Sequence, residues 1–150
     1  MREHEQIMIF SYGTTVYNPI MQERCDSGKE RAKYKYKFKR SGDDAYLKGT
    51  LGKRVKEKYN ECLRYPSSIQ KFNTEVGLHP TQKPVALCEY LIKTYTNEGM
   101  IVLDNCMGSA STGIACLNTN RKFIGIEKDE AYFNVAKQRM ESHQTPNIGE

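Results

Sequence analysis

Two short apolar runs lie in the last third of the chain, and each is followed by an acidic residue. Met100–Leu103 precedes Asp104, and the run Lys122-Phe123-Ile124-Gly125-Ile126 precedes Glu127. A loop of small residues and a segment predicted to be helical over 112–117 join the two runs. This order predicts two buried parallel strands connected by a helix, a βαβ unit. The chain is therefore predicted to be an α/β protein.

Further elements are predicted on both sides of this unit. Pro84 suits the first position of a helix, and five residues then fall on one helical face: Val85, Cys88, Leu91, Ile92 and Tyr95. Asn97-Glu98-Gly99 is predicted to end that helix, and Asp129 to cap a last one. Near the start, Glu5–Tyr12 is predicted to be a short strand, whereas residues 17–60 are polar and irregular.

The positive charge of the chain is concentrated in one segment. Between Arg24 and Lys58 there are 13 Lys and Arg residues against 5 Asp and Glu, a balance of +8 compared with +5 for the whole chain. At its centre, residues 33–39 alternate between lysine and aromatic side chains. In a strand the lysines would share one face, where they could contact phosphates. The alternative is a solvated strand whose lysines discourage edge pairing.

Length and cysteine content exclude several classes of protein. A chain of 150 residues with 38% hydrophobic content is enough for one modest domain. It has no apolar run near the ~20 residues that cross a bilayer, so no membrane association is predicted. The five cysteines form no CxxC pair and are odd in number, which argues against a zinc site or a disulfide framework and favours a reducing cytoplasm.

The loop between the two apolar runs indicates which cofactor would bind. Gly108-x-Ala110-x-x-Gly113 resembles the dinucleotide fingerprint with its middle glycine replaced. Asp104 would repel the pyrophosphate of a dinucleotide, whereas S-adenosylmethionine brings an α-ammonium and a sulfonium group. Glu127 could accept hydrogen bonds from both ribose hydroxyls. The two acids therefore favour S-adenosylmethionine over NAD, the alternative being that Asp104 is a loop acid and Glu127 a surface acid.

At this point a family resemblance is evident. The element His79-Pro80-Thr81-Gln82-Lys83-Pro84, a helix, and then the string LDNCMGSAST resemble the C-terminal half of DNA amino-methyltransferases of the beta-order class, found in phages and restriction-modification systems. The resemblance implies a partial Rossmann-like, S-adenosylmethionine-dependent methyltransferase sheet with a basic recognition insert. It implies methylation of double-stranded DNA, and it favours adenine N6 over cytosine N4 as the target.

The resemblance also implies a division of the chain and a set of site residues. Residues 1–16 would be the last strand of a catalytic half, 17–76 the target-recognition region, 77–142 the cofactor-binding βαβ region and 143–150 a tail. The implied cofactor-binding residues are Thr81, Gln82, Lys83, Asp104, Gly108, Ser109 and Glu127. Those expected to contact DNA are Lys33, Lys35, Lys37, Lys39 and Arg40.

Two departures from the family pattern matter. Ala110 stands where the family commonly has a second glycine, and we expect it to be tolerated if its φ is negative. More importantly, the catalytic Asp-Pro-Pro-Tyr motif is nowhere in the chain; the nearest strings are Asn18-Pro19-Ile20-Met21 and Asp43-Asp44-Ala45-Tyr46, and neither has the paired prolines. That motif supplies the acceptors that activate a poorly nucleophilic exocyclic amine and the ring that stacks on the flipped base. No catalytic residue is therefore assigned.

The missing motif leads to two hypotheses of different classes. The first is a truncated or split DNA methyltransferase that is inactive alone and pairs with a complementary catalytic half or with a second copy of itself. The second is a non-catalytic module that binds S-adenosylmethionine or DNA. A third, an NAD-binding βαβ unit, would require the argument from Asp104 to be wrong.

Overall fold

The computed structural model describes residues 5–33, 36–40, 54–58, 60–75, 77 and 82–144. They fall into two compact units, Met1–Ile20 with Ile69–Glu150, and Met21–Ser68. The elements, in chain order, are β1 (Gln22–Glu23), α1 (Asp26–Lys33), β2 (Tyr36–Arg40), β3 (Arg54–Lys58), β4 (Leu63–Arg64), α2 (Val85–Tyr95), β5 (Ile101–Asp104), α3 (Ser111–Asn118), β6 (Lys122–Gly125) and α4 (Glu130–Gln144). None of the described helices is both long and apolar enough to cross a bilayer.

The predicted βαβ unit is confirmed in the first unit. Strands β5 and β6 pair in parallel, in a register that runs from Ile101 opposite Lys122 to Asp104 opposite Gly125. Helix α3 connects them, and α4 follows with Asp129 as its cap, since Asp129 Oδ1 accepts the backbone N–H groups of Ala131 and Tyr132 at 2.9 and 3.1 Å. The α/β class predicted from the sequence is therefore confirmed.

The small core of this unit lies between the strands and helices α2 and α3. Ile92, Ala115 and Cys116 form its buried centre, and around them pack Val85, Cys88, Val102 and Phe123. Phe123 requires glycine at two neighbouring positions: a Cβ on Gly113 would lie 2.9 Å from its ring and one on Gly125 2.7 Å from it. The ring therefore occupies the space that side chains at those two positions would need.

The opposite face of the two strands is largely exposed among the described residues. Both strands were predicted to be buried, but four of the apolar residues on or just after them are 50–61% exposed: Ile101, Leu103, Ile124 and Ile126. The sequence pattern was right about the strands and wrong about their burial. Apolar runs of this kind are typical of parallel sheets covered on both faces, and the described residues cover one.

Helix α2 lies within one residue of its predicted bounds, with Pro84 immediately before it and Thr96 as its C-terminal cap. Asn18 satisfies carbonyl groups at its C-terminal end. The Asn18 backbone N–H donates to the Thr94 carbonyl at 2.7 Å, and its Nδ2 donates to the Thr96 carbonyl at 3.2 Å and to Asn97 Oδ1 at 3.0 Å. Asn18, in one of the two strings nearest to the missing catalytic motif, therefore takes part in a helix cap. The other string, residues 43–46, lies outside the described residues.

The strand predicted over Glu5–Tyr12 is not found. Residues 5–11 have no regular secondary structure and residues 12–14 form a bend, and large side chains there are exposed, including Met8 at 75% and Phe10 at 85%. A strand exists only where a neighbouring strand accepts and donates its backbone hydrogen bonds. No described strand forms a ladder of backbone hydrogen bonds with this segment, although its composition favours a strand.

The second unit carries the basic segment, within the predicted recognition region 17–76. Strands β1 and β4 pair antiparallel, as do β2 and β3, whose register runs from Tyr36 opposite Lys58 to Arg40 opposite Arg54. Helix α1 has Asp26 in its first turn and Arg31 and Lys33 in its last, an arrangement that complements the helix dipole. The described residues of the range 17–60, which was predicted to be irregular, therefore include a helix and three strands.

Candidate functional site

The site predicted from the sequence lies at the carboxyl edge of β5 and β6, and the loop after β5 is bonded to the end of β6. The Ile126 N–H donates to the Asp104 carbonyl at 2.8 Å, and the Met107 N–H donates to the Ile126 carbonyl at 3.0 Å. The Gly108 N–H then donates to Glu127 Oε2 at 2.9 Å. Asp104, Gly108 and Glu127 are thereby brought together, although 23 residues separate the two acids in sequence.

Glu127 is held by backbone donors on both of its oxygens. Besides Gly108, the N–H groups of Lys128 and Asp129 donate to Oε1 at 2.9 and 3.0 Å. The N–H groups of Asp129 and Gly108 hold the pKa of the Glu127 carboxyl below its usual value, because hydrogen bonds to the ionised form favour it. A carboxylate has about four acceptor positions, so Glu127 is ionised at neutral pH with capacity left for a hydroxyl donor.

Asp104 is half-buried and also has partners within the protein. Its Oδ1 accepts the Cys106 N–H at 3.1 Å, and its Oδ2 accepts the Thr112 hydroxyl at 2.8 Å. Asp104 therefore holds both ends of the loop, as the loop-acid alternative proposed. This role does not exclude ligand binding, because two hydrogen bonds leave acceptor positions on a carboxylate. The edge thus presents two carboxylates, a charge pattern suited to a ligand with positive groups.

The loop itself has an unusual backbone. Gly108 and Ala110 have φ values of +50° and +58°, both in the left-handed region that glycine adopts easily and alanine does not. The condition under which Ala110 was expected to be tolerated, a negative φ, is therefore not met. Ala110 is 0% exposed, so its methyl group packs inside the protein. The residue between them, Ser109, is 3% exposed.

Gln82 lies at this loop, whereas Lys83 is paired elsewhere. The Ser109 hydroxyl donates to Gln82 Oε1 at 3.4 Å, so two of the implied cofactor-binding residues are in contact. Lys83 Nζ instead contacts both carboxylate oxygens of Glu5 at 3.0 Å, on an exposed part of the unit. Thr81, the third residue predicted in this segment, lies outside the described residues.

Two residues that the sequence analysis missed, Arg139 and Glu75, also contact the loop or the residues bonded to it. Arg139 Nη1 donates to the Ser109 carbonyl at 2.9 Å, and Glu75 Oε2 accepts Gln82 Nε2 at 3.3 Å. Arg139 could have been noticed because it lies three residues after Ala136 and next to Met140 on the packed side of α4. Glu75 lies outside regular structure, and nothing in the local sequence distinguishes it.

The residues predicted to contact DNA are distributed over two elements rather than one strand. Lys33 ends helix α1, where its Nζ is 2.6 Å from Glu30 Oε1, so its assignment to the alternating strand is wrong. Lys37 and Lys39 are in β2, as predicted, and Arg40 is the last residue of the same strand. Lys35 lies outside the described residues. The alternation continues in sequence back to Lys33, but the helix extends through that residue.

Comparison with known proteins identifies the family to which the chain belongs. Residues 1–138 match the sequence profile of a family described as DNA methylase, of the N6/N4 type. The match includes the basic segment as well as the βαβ unit. The chain belongs to this family of DNA methyltransferases.

Particular relatives are longer than this chain. It is 32% identical over 136 residues to the type II methyltransferase M2.DpnII of Streptococcus pneumoniae, a match that covers 91% of this chain and 46% of that protein. It is 44% identical over 63 residues to the DNA adenine methyltransferase YhdJ of Escherichia coli (strain K12), covering 42% and 21%. A crystal structure of an M1.HpyAVI–SAM complex is similar at 40% identity, covering 58% and 47%, with a TM-score of 0.43. The chain thus spans less than half the length of each of these proteins.

Proposed function

We propose that this chain is the cofactor-binding and target-recognition part of a site-specific DNA methyltransferase that uses S-adenosylmethionine. The observation that carries the proposal is the pair of carboxylates, Asp104 and Glu127, at the ends of adjacent parallel strands around a tightly held loop. A phosphate-bearing dinucleotide would be repelled there, whereas an ammonium and a sulfonium would be attracted. The ribose of the cofactor would donate to the remaining acceptor capacity of Glu127.

Calorimetric titration tests this assignment directly. We expect S-adenosylmethionine to bind and NAD not to bind. Replacing Glu127 with glutamine should weaken binding about tenfold or more, because a charged acceptor is lost. Glu98→Gln, at an exposed turn, is the matched control and should leave the affinity unchanged. Binding of NAD in place of S-adenosylmethionine would contradict the proposal.

For the recognition part, we propose that the β2–β3 hairpin contacts the phosphates of double-stranded DNA. Six of the ten residues in these two strands are basic and one is acidic. Phosphate contacts of this kind release counterions, so affinity falls with salt by about 0.9 logarithmic units per contact and per tenfold change in salt concentration. Such contacts orient the protein without specifying a sequence, so the hairpin strands by themselves do not define a recognition site.

Fluorescence anisotropy with labelled duplex DNA at several salt concentrations measures this contribution. The double variant Lys37→Gln/Lys39→Gln should reduce the slope of log affinity against log salt by about 1–2. Lys71→Gln/Lys122→Gln removes the same charge from exposed positions of the other unit and should leave the slope nearly unchanged. Equal effects of the two double variants would show that net charge, rather than the hairpin, governs binding.

We further propose that methyl transfer, to adenine N6 in preference to cytosine N4, requires a complementary catalytic part. The Asp-Pro-Pro-Tyr motif is absent from the sequence, and the apolar face formed by Ile101, Leu103, Ile124 and Ile126 is open to a further layer. Incubation of the chain with labelled S-adenosylmethionine and mixed-sequence DNA should therefore transfer no methyl groups. A positive result would mean that other residues replace the missing motif.

Addition of a catalytic half from a relative completes this test. Restored transfer, with the label on adenine rather than cytosine after nucleoside digestion, would support the proposal. A salt-dependent DNA complex that gains no activity with any partner half would instead favour a non-catalytic binding module.

A further inference from the structure

Arg139 joins the cofactor loop to the start of α2. Its side chain is 20% exposed. Its Nη1 donates to the Ser109 carbonyl at 2.9 Å, with longer contacts of 3.4 Å to the hydroxyls of Ser109 and Ser111. Its Nη2 lies 3.9 Å from Glu75 Oε2. One guanidinium therefore contacts both the loop and an acid that comes from a different part of the chain.

Glu75 links Arg139 to the first residue of α2. Its Oε1 accepts the Val85 N–H at 3.0 Å, which satisfies a free donor at the start of α2. Its Oε2 accepts Gln82 Nε2 at 3.3 Å, and Gln82 Oε1 in turn accepts the Ser109 hydroxyl at 3.4 Å. Arg139, Ser109, Gln82 and Glu75 thus form a closed ring of polar contacts, which we call the loop clamp.

The loop clamp contacts the part of the loop that has the left-handed backbone conformation. Ser109 lies between Gly108 and Ala110, both of which have positive φ. A non-glycine residue in the left-handed region persists only when surrounding contacts hold it there. The Arg139 hydrogen bond to the Ser109 carbonyl lies between these two residues. Loss of that bond would let the loop relax without removing any group that faces the two carboxylates.

We propose that Arg139 is a positioning residue for the methyl-donor site: through the loop clamp it holds Gly108–Ala110 in the geometry that the cofactor requires. The proposal rests on the proposed binding of S-adenosylmethionine. Arg139 acts through the Ser109 carbonyl, and the planar guanidinium is suited to this because it donates to several acceptors at once. A lysine at the same position would keep the positive charge and one donor nitrogen, but not the planar set of nitrogens that reaches several acceptors at once.

Arg121 provides a matched control. It is also a partly buried arginine that donates to backbone carbonyls, with Nη2 2.9 Å from the Thr96 carbonyl. It precedes β6, so it lies at the amino end of that strand, opposite the edge that carries Glu127. Arg121→Met should lower stability and leave the affinity of the folded protein for S-adenosylmethionine unchanged. Arg139→Met should weaken that affinity about tenfold, and Arg139→Lys should restore part of it.

Amide hydrogen exchange without cofactor distinguishes failure of this proposal from failure of the proposed function. The Gly108 and Ala110 amides donate to Glu127 Oε2 and the Met107 carbonyl. Their exchange should accelerate about tenfold or more in Arg139→Met and stay at the wild-type rate in Arg121→Met, after correction for global stability. Unchanged protection, or an unchanged dissociation constant in Arg139→Met, would overturn the positioning role. Absence of S-adenosylmethionine binding to the wild-type chain would overturn the proposed function, and the exchange rates would still decide whether Arg139 holds the loop.

Discussion

Replacing Ala110 with glycine isolates the cost of the left-handed backbone in the cofactor loop. Ala110 has φ +58° and ψ +39° and no exposed surface. An L-residue in this conformation costs about 1–2 kcal/mol, and glycine relieves that cost. Two terms oppose the gain. Removal of one buried methyl group lowers the free energy of unfolding by about 0.8 kcal/mol. The greater freedom of glycine in the unfolded chain lowers it by about 0.4–1 kcal/mol.

These terms nearly cancel, so Ala110→Gly should leave the free energy of unfolding within about 1 kcal/mol of the wild type. Ala115→Gly is the matched control, because Ala115 is also 0% exposed but lies inside helix α3. There the same methyl is lost, glycine costs about 1 kcal/mol in a helix interior, and no strain is relieved. Ala115→Gly should therefore lower the free energy of unfolding by about 2 kcal/mol.

Urea denaturation followed by circular dichroism measures both variants against the wild type. The expected result is a difference of about 1–2 kcal/mol between two chemically identical substitutions at equally buried sites. Equal losses in the two variants would refute the reasoning, because they would mean that the left-handed conformation of Ala110 carries no cost.

Three other predictions follow from contacts at the same edge of the sheet. In thermal melts, Gly125→Ala should destabilise the chain by about 1–3 kcal/mol, because a Cβ there would overlap Met107 Sδ and the Phe123 ring. Gly28→Ala in α1, with its nearest neighbour at 3.4 Å, should be neutral or stabilising. Thr112→Val should lose about 1–2 kcal/mol with the hydrogen bond to Asp104, and Thr112→Ser should lose less; equal losses in urea titrations would contradict this. Folding lowers the pKa of the Glu127 carboxyl. The ionised carboxylate therefore stabilises the folded chain fully above the usual glutamate pKa of about 4.3. This stabilisation is lost as the pH falls through the lower pKa of the folded state. The stability difference between wild type and Glu127→Gln should therefore shrink between pH 7 and pH 3, and a difference that stayed constant would exclude this linkage.

The parts of the fold that were predicted correctly depend on local signals. Helix α2 follows from the position of Pro84 and an apolar face with helical spacing, and α4 follows from the cap at Asp129. The parallel strands follow from two apolar runs joined by a helix. The incorrect predictions concern pairing and burial. Glu5–Tyr12 has the composition of a strand but no partner among the described residues, and Lys33 continues an alternating pattern although helix α1 includes it.

The order of residues is enough to place Asp104 and Glu127 at one edge, because each ends a parallel strand and the carboxyl ends of such strands lie together. The same order of residues gives the small-residue loop between them and the concentration of positive charge in one segment. How that loop is held depends on contacts between elements that are distant in sequence. Arg139 contacts Ser109 across 30 residues, and Glu75 contacts Val85 across ten. Periodicity in the sequence does not predict such pairs, because they form only when separate elements pack together. The sign of φ at Ala110 was likewise decided by packing, since alanine alone would favour the opposite region of backbone space.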